Sequence, residues 1–372
     1  MWLDCCRCVF STYNTHLSSK LYYYFFVFLY FCRVKERNHV FDFLCGLCII
    51  RMISLHIMDF CGLGEAVWWT HVMEWSFYFM SFFFFKAGYF NKGLNNSNTR
   101  DYIVDRSKRI LVPYITSGLI GMAIYFAFLP FLLERYHNPI EPLEWKHVWE
   151  TSSFYGNRPT WFLFSFFVTY LIVYFIEKVK GLHWIAILFP AIGYLLFLKG
   201  NPLWMSINNV FMGIFFFYLG MLWKQVMNRV PHSIILWASV CMLALFVVLN
   251  ITCHGEYTMS TNTFSGSFAP TMLNMVLAIC GLVGLFSCIN LPRIPVVCFI
   301  GEHSMVYFIS HYPMLYYYKF AHLCYGRSIW NKPDDVLILL PVIFCLCTWM
   351  VPIIERIPWL SGRWPKIETN TK

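Results

Sequence analysis

Stretches of about 20 apolar residues recur along the chain, the length a helix needs to cross the hydrocarbon of a bilayer. Backbone N–H and C=O groups find no water there, so only helices or a closed barrel can span it. Runs this long without strict alternation exclude the barrel. The expected fold is all-α, a polytopic integral membrane protein with about ten transmembrane helices. The runs fall at 39–63, 67–90, 110–133, 160–177, 182–199, 203–223, 232–250, 270–290, 296–318 and 335–355. Composition agrees, since 59% of the 372 residues are apolar and only 13% are charged. A soluble domain of this length carries about a quarter charged residues.

The longest polar gaps, near 91–109, 134–159 and 251–269, are each under about 30 residues, too short for a separate soluble domain. The expected organisation is an N-terminal extension (1–38), one membrane domain (39–356) and a cytoplasmic tail (357–372). Within the extension, Leu21–Cys32 is apolar over only about twelve residues and reads as an interfacial or extra helix. The net charge of +9 points to membrane topology rather than to nucleic acid, because the cations segregate by side. Counting Lys and Arg on alternate sides puts seventeen on the side of Arg33, Lys35 and Arg37 and seven on the other. That asymmetry points to cytoplasmic termini, and the expected location is the cell membrane. The loop 251–269 then lies outside and carries no Lys or Arg. Most cysteines sit in apolar runs, where they act as small hydrophobes, and Cys5, Cys6 and Cys8 lack the second pair a metal site needs, so no metal is expected. No internal repeat of the kind that builds many transporters is evident.

Ionisable side chains are costly in hydrocarbon, so each one inside a span is a functional candidate, with structural pairing as the alternative. The first span holds Asp42, Arg51, His56 and Asp59. Arg51 either pairs with a carboxylate for stability or serves a substrate. His56 is either a hydrogen-bonded packing residue or a general base, with Glu65 and Glu74 near enough in sequence to orient it. Arg106, Lys108 and Arg109, at the cytoplasmic mouth of the third span, are either a positive anchor or a clamp for a phosphate-rich ligand. The ninth span collects Glu302, His303, Ser304, Ser310 and His311 in one apolar helix, with His311 about two turns beyond His303 on a similar face.

Four stretches carry a resemblance: Phe41–Gly46 leading to Ser54-Leu55-His56; Phe82–Phe90 followed by Lys92 and by Arg106, Lys108, Arg109, Leu111 and Pro113; Pro159-Thr160-Trp161-Phe162-Leu163; and Phe299–Pro313. In this order they resemble acyltransferase family 3, membrane proteins that transfer acyl groups, often acetyl, to sugars of cell-surface polysaccharides or to other acceptors. The resemblance implies that His56 is central to acyl transfer. It also implies an acyl-CoA donor such as acetyl-CoA, with its phosphates near Arg106, Lys108 and Arg109, and a carbohydrate acceptor. Arg51, Glu302 and His311 complete the expected substrate-binding set. The chain departs from the family at Cys45, eleven positions before His56, where a basic residue is usual. Arg51 then either compensates from another face of the helix, or the chain has lost activity. A transporter or flippase for a sugar or lipid, using the same polar residues as a relay, is the rival class.

Overall fold

The computed structural model describes residues 38–364 except 92–97, 137–144, 180, 201–202, 254, 290–293 and 325–334. The expected helix at Leu21–Cys32 lies outside the described residues. Asn38 opens the first helix, α1 (His39–Phe60), its Oδ1 accepting from the Val40 and Phe41 N–H groups at 3.1 and 3.4 Å. Asp42 in the first turn meets the positive end of the helix dipole. Then follow α2 (Val67–Ser76), α3 (Phe79–Tyr89), α4 (Thr99–Arg106), a π-helical turn (Ser107–Leu111), α5 (Val112–Tyr136) and α6 (Trp145–Thr151). After them come α7 (Trp161–Lys178), α8 (Phe189–Leu198), α9 (Asn208–Arg229) and α10 (His232–Cys253). A two-stranded ribbon, β1 (Tyr257–Thr258) with β2 (Thr263–Phe264), precedes α11 (Phe268–Cys288), α12 (Pro295–Glu302), α13 (Ser304–Cys324), α14 (Val336–Ile354) and α15 (Pro358–Ser361).

Among the described residues seven helices are long and apolar enough to cross a bilayer, against about ten expected. Three expected runs differ for physical reasons. The run 67–90 is broken at Phe77–Tyr78 into α2 and α3, and the run 182–199 is a 3-10 turn followed by the short α8. The run 296–318 breaks at His303, and its longer part, α13, is diluted by Ser304, Ser310, His311 and its tyrosines.

Burial sorts the helices. In α1 72% of the apolar window is buried inside the protein, against 22% in α10 and 28% in α14. The helix carrying His56 is thus the inner one, and α10 and α14 turn Trp237, Val248, Leu337 and Trp349 outward. Close approach of inner helices rests on glycine. A Cβ on Gly46 would collide with the Val297 carbonyl, and one on Gly301 with the Asp42 carbonyl, so α1 and α12 touch backbone to backbone. This contact fixes α1 against the chain that enters α13.

Within α13, Pro313 has no N–H to give the Ile309 carbonyl, and a bare carbonyl inside a membrane protein costs several kcal/mol, on the order of 1–3 in measured cases. Asn157, fully buried in the turn before α7, meets it: its Nδ2 donates to Ile309 O at 3.2 Å and to Ser117 O at 3.3 Å. One side chain therefore ties α5, α7 and α13 together at the level of His311.

Candidate active site

Two cavities adjoin inside the bundle. The larger, about 780 Å³, lies at the end where Arg106, Arg109, Lys86 and Arg363 converge, with Ile49, Phe162, Ser304 and Met305 among its walls. The smaller, about 330 Å³, holds His56 and Arg51 and is roofed by Thr151, Arg158 and the ribbon residues Glu256–Thr261. Phe308 lines both.

The basic segment Arg106–Arg109 was expected at the cytoplasmic mouth of the third span. It lies inside one continuous helix that starts at Thr99, with the π turn Ser107–Leu111 within it. Arg106 and Arg109 line the large cavity; Lys108 does not, its Nζ lying 5.5 Å from the Trp364 ring centre. Arg106 rests on the faces of Tyr170 and Tyr102, and its buried Nε has no hydrogen-bond partner among the described residues. Arg109 pairs with Asp105 at 2.7 Å. The segment beyond α14, expected as a tail, closes the cavity: Gly362 abuts the Arg109 carbonyl, the Trp364 Nε1 donates to Lys108 O at 2.8 Å, and Arg363 reaches Glu355 at 2.6 Å. Glu355 also bonds the buried His303 at the break between α12 and α13. Sequence reading missed Arg363 because a basic residue after a last span is an ordinary anchor.

The position of Cys45 is informative. Lys86 on α3 donates from Nζ to Cys45 Sγ at 3.0 Å, so a cation from a different helix stands beside the position where the resemblance implies a basic residue. Lys86 lines the large cavity.

In the small cavity His56 stacks on His311, ring centres 5.3 Å apart and planes 25° from parallel, and Tyr312 meets the same imidazole edge-on at 5.2 Å. His311 is fully buried, and its Nδ1 lies 2.9 Å from the Tyr307 carbonyl. A carbonyl only accepts, so Nδ1 carries a proton, and in the neutral imidazole Nε2 keeps a lone pair. That Nε2 has no hydrogen-bond partner among the described residues. Arg51 reaches the same cavity; its Nε donates to Ser76 Oγ at 3.1 Å and its guanidinium lies 3.9 Å from the Phe79 ring centre. It forms no ion pair among the described residues, and its buried Nη1 has no hydrogen-bond partner there. The carboxylate pairing considered for Arg51 is thus not formed; Asp42 lies about 13 Å away along the same helix axis, from nine residues at 1.5 Å each.

Other expected members fall elsewhere. Glu302 ends α12 and lines neither cavity. Glu74 binds His71 at 2.9 Å, and neither it nor Glu65 lines the cavity of His56. The carboxylate that does is Glu256, in the cation-free loop. Burial, helped by the nearby Glu74, pushes its carboxyl above the ordinary range against the opposing pull of Arg51.

Inner polar side chains converging on two adjoining cavities, within helices that cross a bilayer, define a multi-pass membrane protein with an internal site. The family model described as an acyltransferase domain, Acyl_transf_3, matches residues 38–352, and the chain belongs to this family of membrane acyltransferases. No curated protein and no solved structure matches the chain.

Proposed function

We propose that the protein transfers an acetyl group from acetyl-CoA to a hydroxyl of a cell-surface polysaccharide or of its lipid-linked precursor. The observation that carries this reading is the adjacency of a cation-lined cavity and a histidine-bearing one, with Phe308 common to both walls. About 780 Å³ lies within the roughly 300–1,000 Å³ of small-molecule sites, and four cationic side chains line it, suiting a coenzyme rich in phosphate. The cation-rich end faces the cytoplasm in the proposed orientation, as the positive-inside count requires, and the ribbon end faces out toward glycans.

In the proposed reaction His56 accepts the proton of the acceptor hydroxyl as its oxygen attacks the acetyl carbonyl carbon. The new C–O bond forms, the C–S bond breaks, and the thiolate of coenzyme A leaves and takes up the proton from His56. Arg51, whose Nη1 has no hydrogen-bond partner among the described residues, is placed to hold an acceptor oxygen or the carbonyl oxygen as charge develops on it. Lys86, with Arg106, Arg109 and Arg363, holds the donor. Lys108 drops out of the expected clamp, and Glu302 out of the binding set. The transporter reading is not favoured, since the family it belongs to is one of acyltransferases.

The test is release of free coenzyme A by the purified protein in nanodiscs given acetyl-CoA and a panel of glycans. Proton-transfer catalysis is worth about 10²–10⁴ in rate, so His56→Ala should lose at least that much while its unfolding profile stays that of the wild type. Wild-type turnover in His56→Ala removes the assignment. Failure of the wild type to bind or consume acetyl-CoA with any acceptor removes the donor.

A further inference from the structure

Three elements run past the boundary between the two cavities at the same level. On α1, Ile49 lines the large cavity and Met52, Leu55 and His56 line the small one. On α7 and the turn before it, Phe162 and Leu163 line the large cavity and Pro159 and Trp161 the small one. On α13, Ser304 and Met305 line the large cavity, and His311 stacks on His56 beyond it. Phe308 sits between, 4% exposed, its ring 5.3 Å from that of Phe162 and 6.3 Å from that of His311. Among the described residues it is the one shared by both walls.

We propose that Phe308 determines the length of the acyl group the protein accepts, by filling the space into which any chain longer than acetyl would extend. The inference rests on the reading that the large cavity holds an acyl-CoA. A hydroxyl activated by His56 lies about 2.6–3.2 Å from an imidazole nitrogen, and the carbon it attacks lies about 3–3.5 Å further on. The reacting carbonyl is therefore about 6 Å from His56, and the proposal sets it beside Phe308, the residue common to both walls, with the thioester sulfur on the large-cavity side. An acetyl methyl ends there. Each further methylene meets a ring braced by Phe162 on one side and the buried His311 on the other.

Equilibrium titration of the full chain in nanodiscs with coenzyme A, acetyl-CoA, butyryl-CoA and hexanoyl-CoA tests this. Wild type should bind butyryl- and hexanoyl-CoA more weakly than acetyl-CoA. In Phe308→Ala the order should invert, the affinity relative to coenzyme A rising about fourfold per added methylene, from about 0.8 kcal/mol for each buried CH₂. Phe308→Leu, which keeps a buried apolar side chain, should show the same inversion at smaller size and stands in should the alanine variant not fold. An acyl-length profile identical in wild type and both variants, with coenzyme A still bound, overturns the assignment of Phe308 and leaves the donor site standing. No binding of coenzyme A to the wild type overturns both.

Discussion

Exchanging Lys86 for methionine keeps the reach and the apolar stem of the side chain and removes the ammonium group. That group donates to Cys45 Sγ at 3.0 Å, lines the large cavity, and has no carboxylate partner among the described residues. Its charge is therefore free for a ligand oxygen. A hydrogen bond to a charged group contributes about 1.5–3 kcal/mol, so Lys86→Met should weaken coenzyme A binding about 10- to 150-fold. The same loss should follow whether the probe is coenzyme A or acetyl-CoA. The location supplies a stricter test. Cys45→Arg alone sets a guanidinium beside the Lys86 ammonium; two like charges about 4 Å apart at an effective dielectric of 20 repel by about 4 kcal/mol, so this variant should unfold at lower temperature than wild type. Cys45→Arg with Lys86→Met restores a single cation in the same place, now from α1. Its coenzyme A affinity should return to within a few-fold of wild type and its thermal midpoint should exceed that of Cys45→Arg. The coupling between the two sites, read as a double-mutant cycle, is then large and opposite in sign to either single loss. Wild-type affinity in Lys86→Met, or additive losses in the pair, would refute the idea that Lys86 stands in for the family's basic residue.

Asn157→Ala should lower stability by about 1–3 kcal/mol in denaturant unfolding in detergent, because it strips the Ile309 carbonyl of its donor. In a Pro313→Ala background, where the helix regains its own N–H, that cost should shrink; an equal cost in both backgrounds would argue against the pairing. Arg106→Gln should weaken coenzyme A binding by at least tenfold and Lys108→Gln by less than threefold, since of these two Arg106 lines the cavity and Lys108 does not; equal effects would restore the expected clamp of three. Gly301→Ala should destabilise by more than the roughly 1–3 kcal/mol of ordinary overpacking, because the new methyl meets backbone rather than a side chain that can turn away. A thermal midpoint within two degrees or so of wild type would show that α1 and α12 can separate.

How much was legible in the sequence follows from what each signal costs. An ionisable group in hydrocarbon is expensive, so His56, Arg51 and His311 stood out of the apolar runs, and the structure brings the three to one place. Lengths of apolar runs gave the helices but not their breaks. Nothing in the period of Phe299–Pro313 marks His303 as the end of α12, because its partner at the break, Glu355 at the C-terminal end of α14, lies far away in sequence. Helices that are apolar all round also carry no facing stripe, so their neighbours could not be read from periodicity. That is why Lys86 beside Cys45 was unseen, and why Arg51 was considered as the substitute.

Phe308 is the sharpest case of the same limit. It is one phenylalanine among thirty-eight, and on composition it is packing. Its distinction is geometric: three elements far apart in sequence meet at the level of its ring, and a polar chemistry lies on each side of it. Residues that do the chemistry betray themselves by their cost in a membrane, whereas one that limits a substrate costs nothing where it stands. An apolar selectivity residue in a membrane enzyme is therefore found by asking which buried ring separates two polar spaces, and only a structure poses that question.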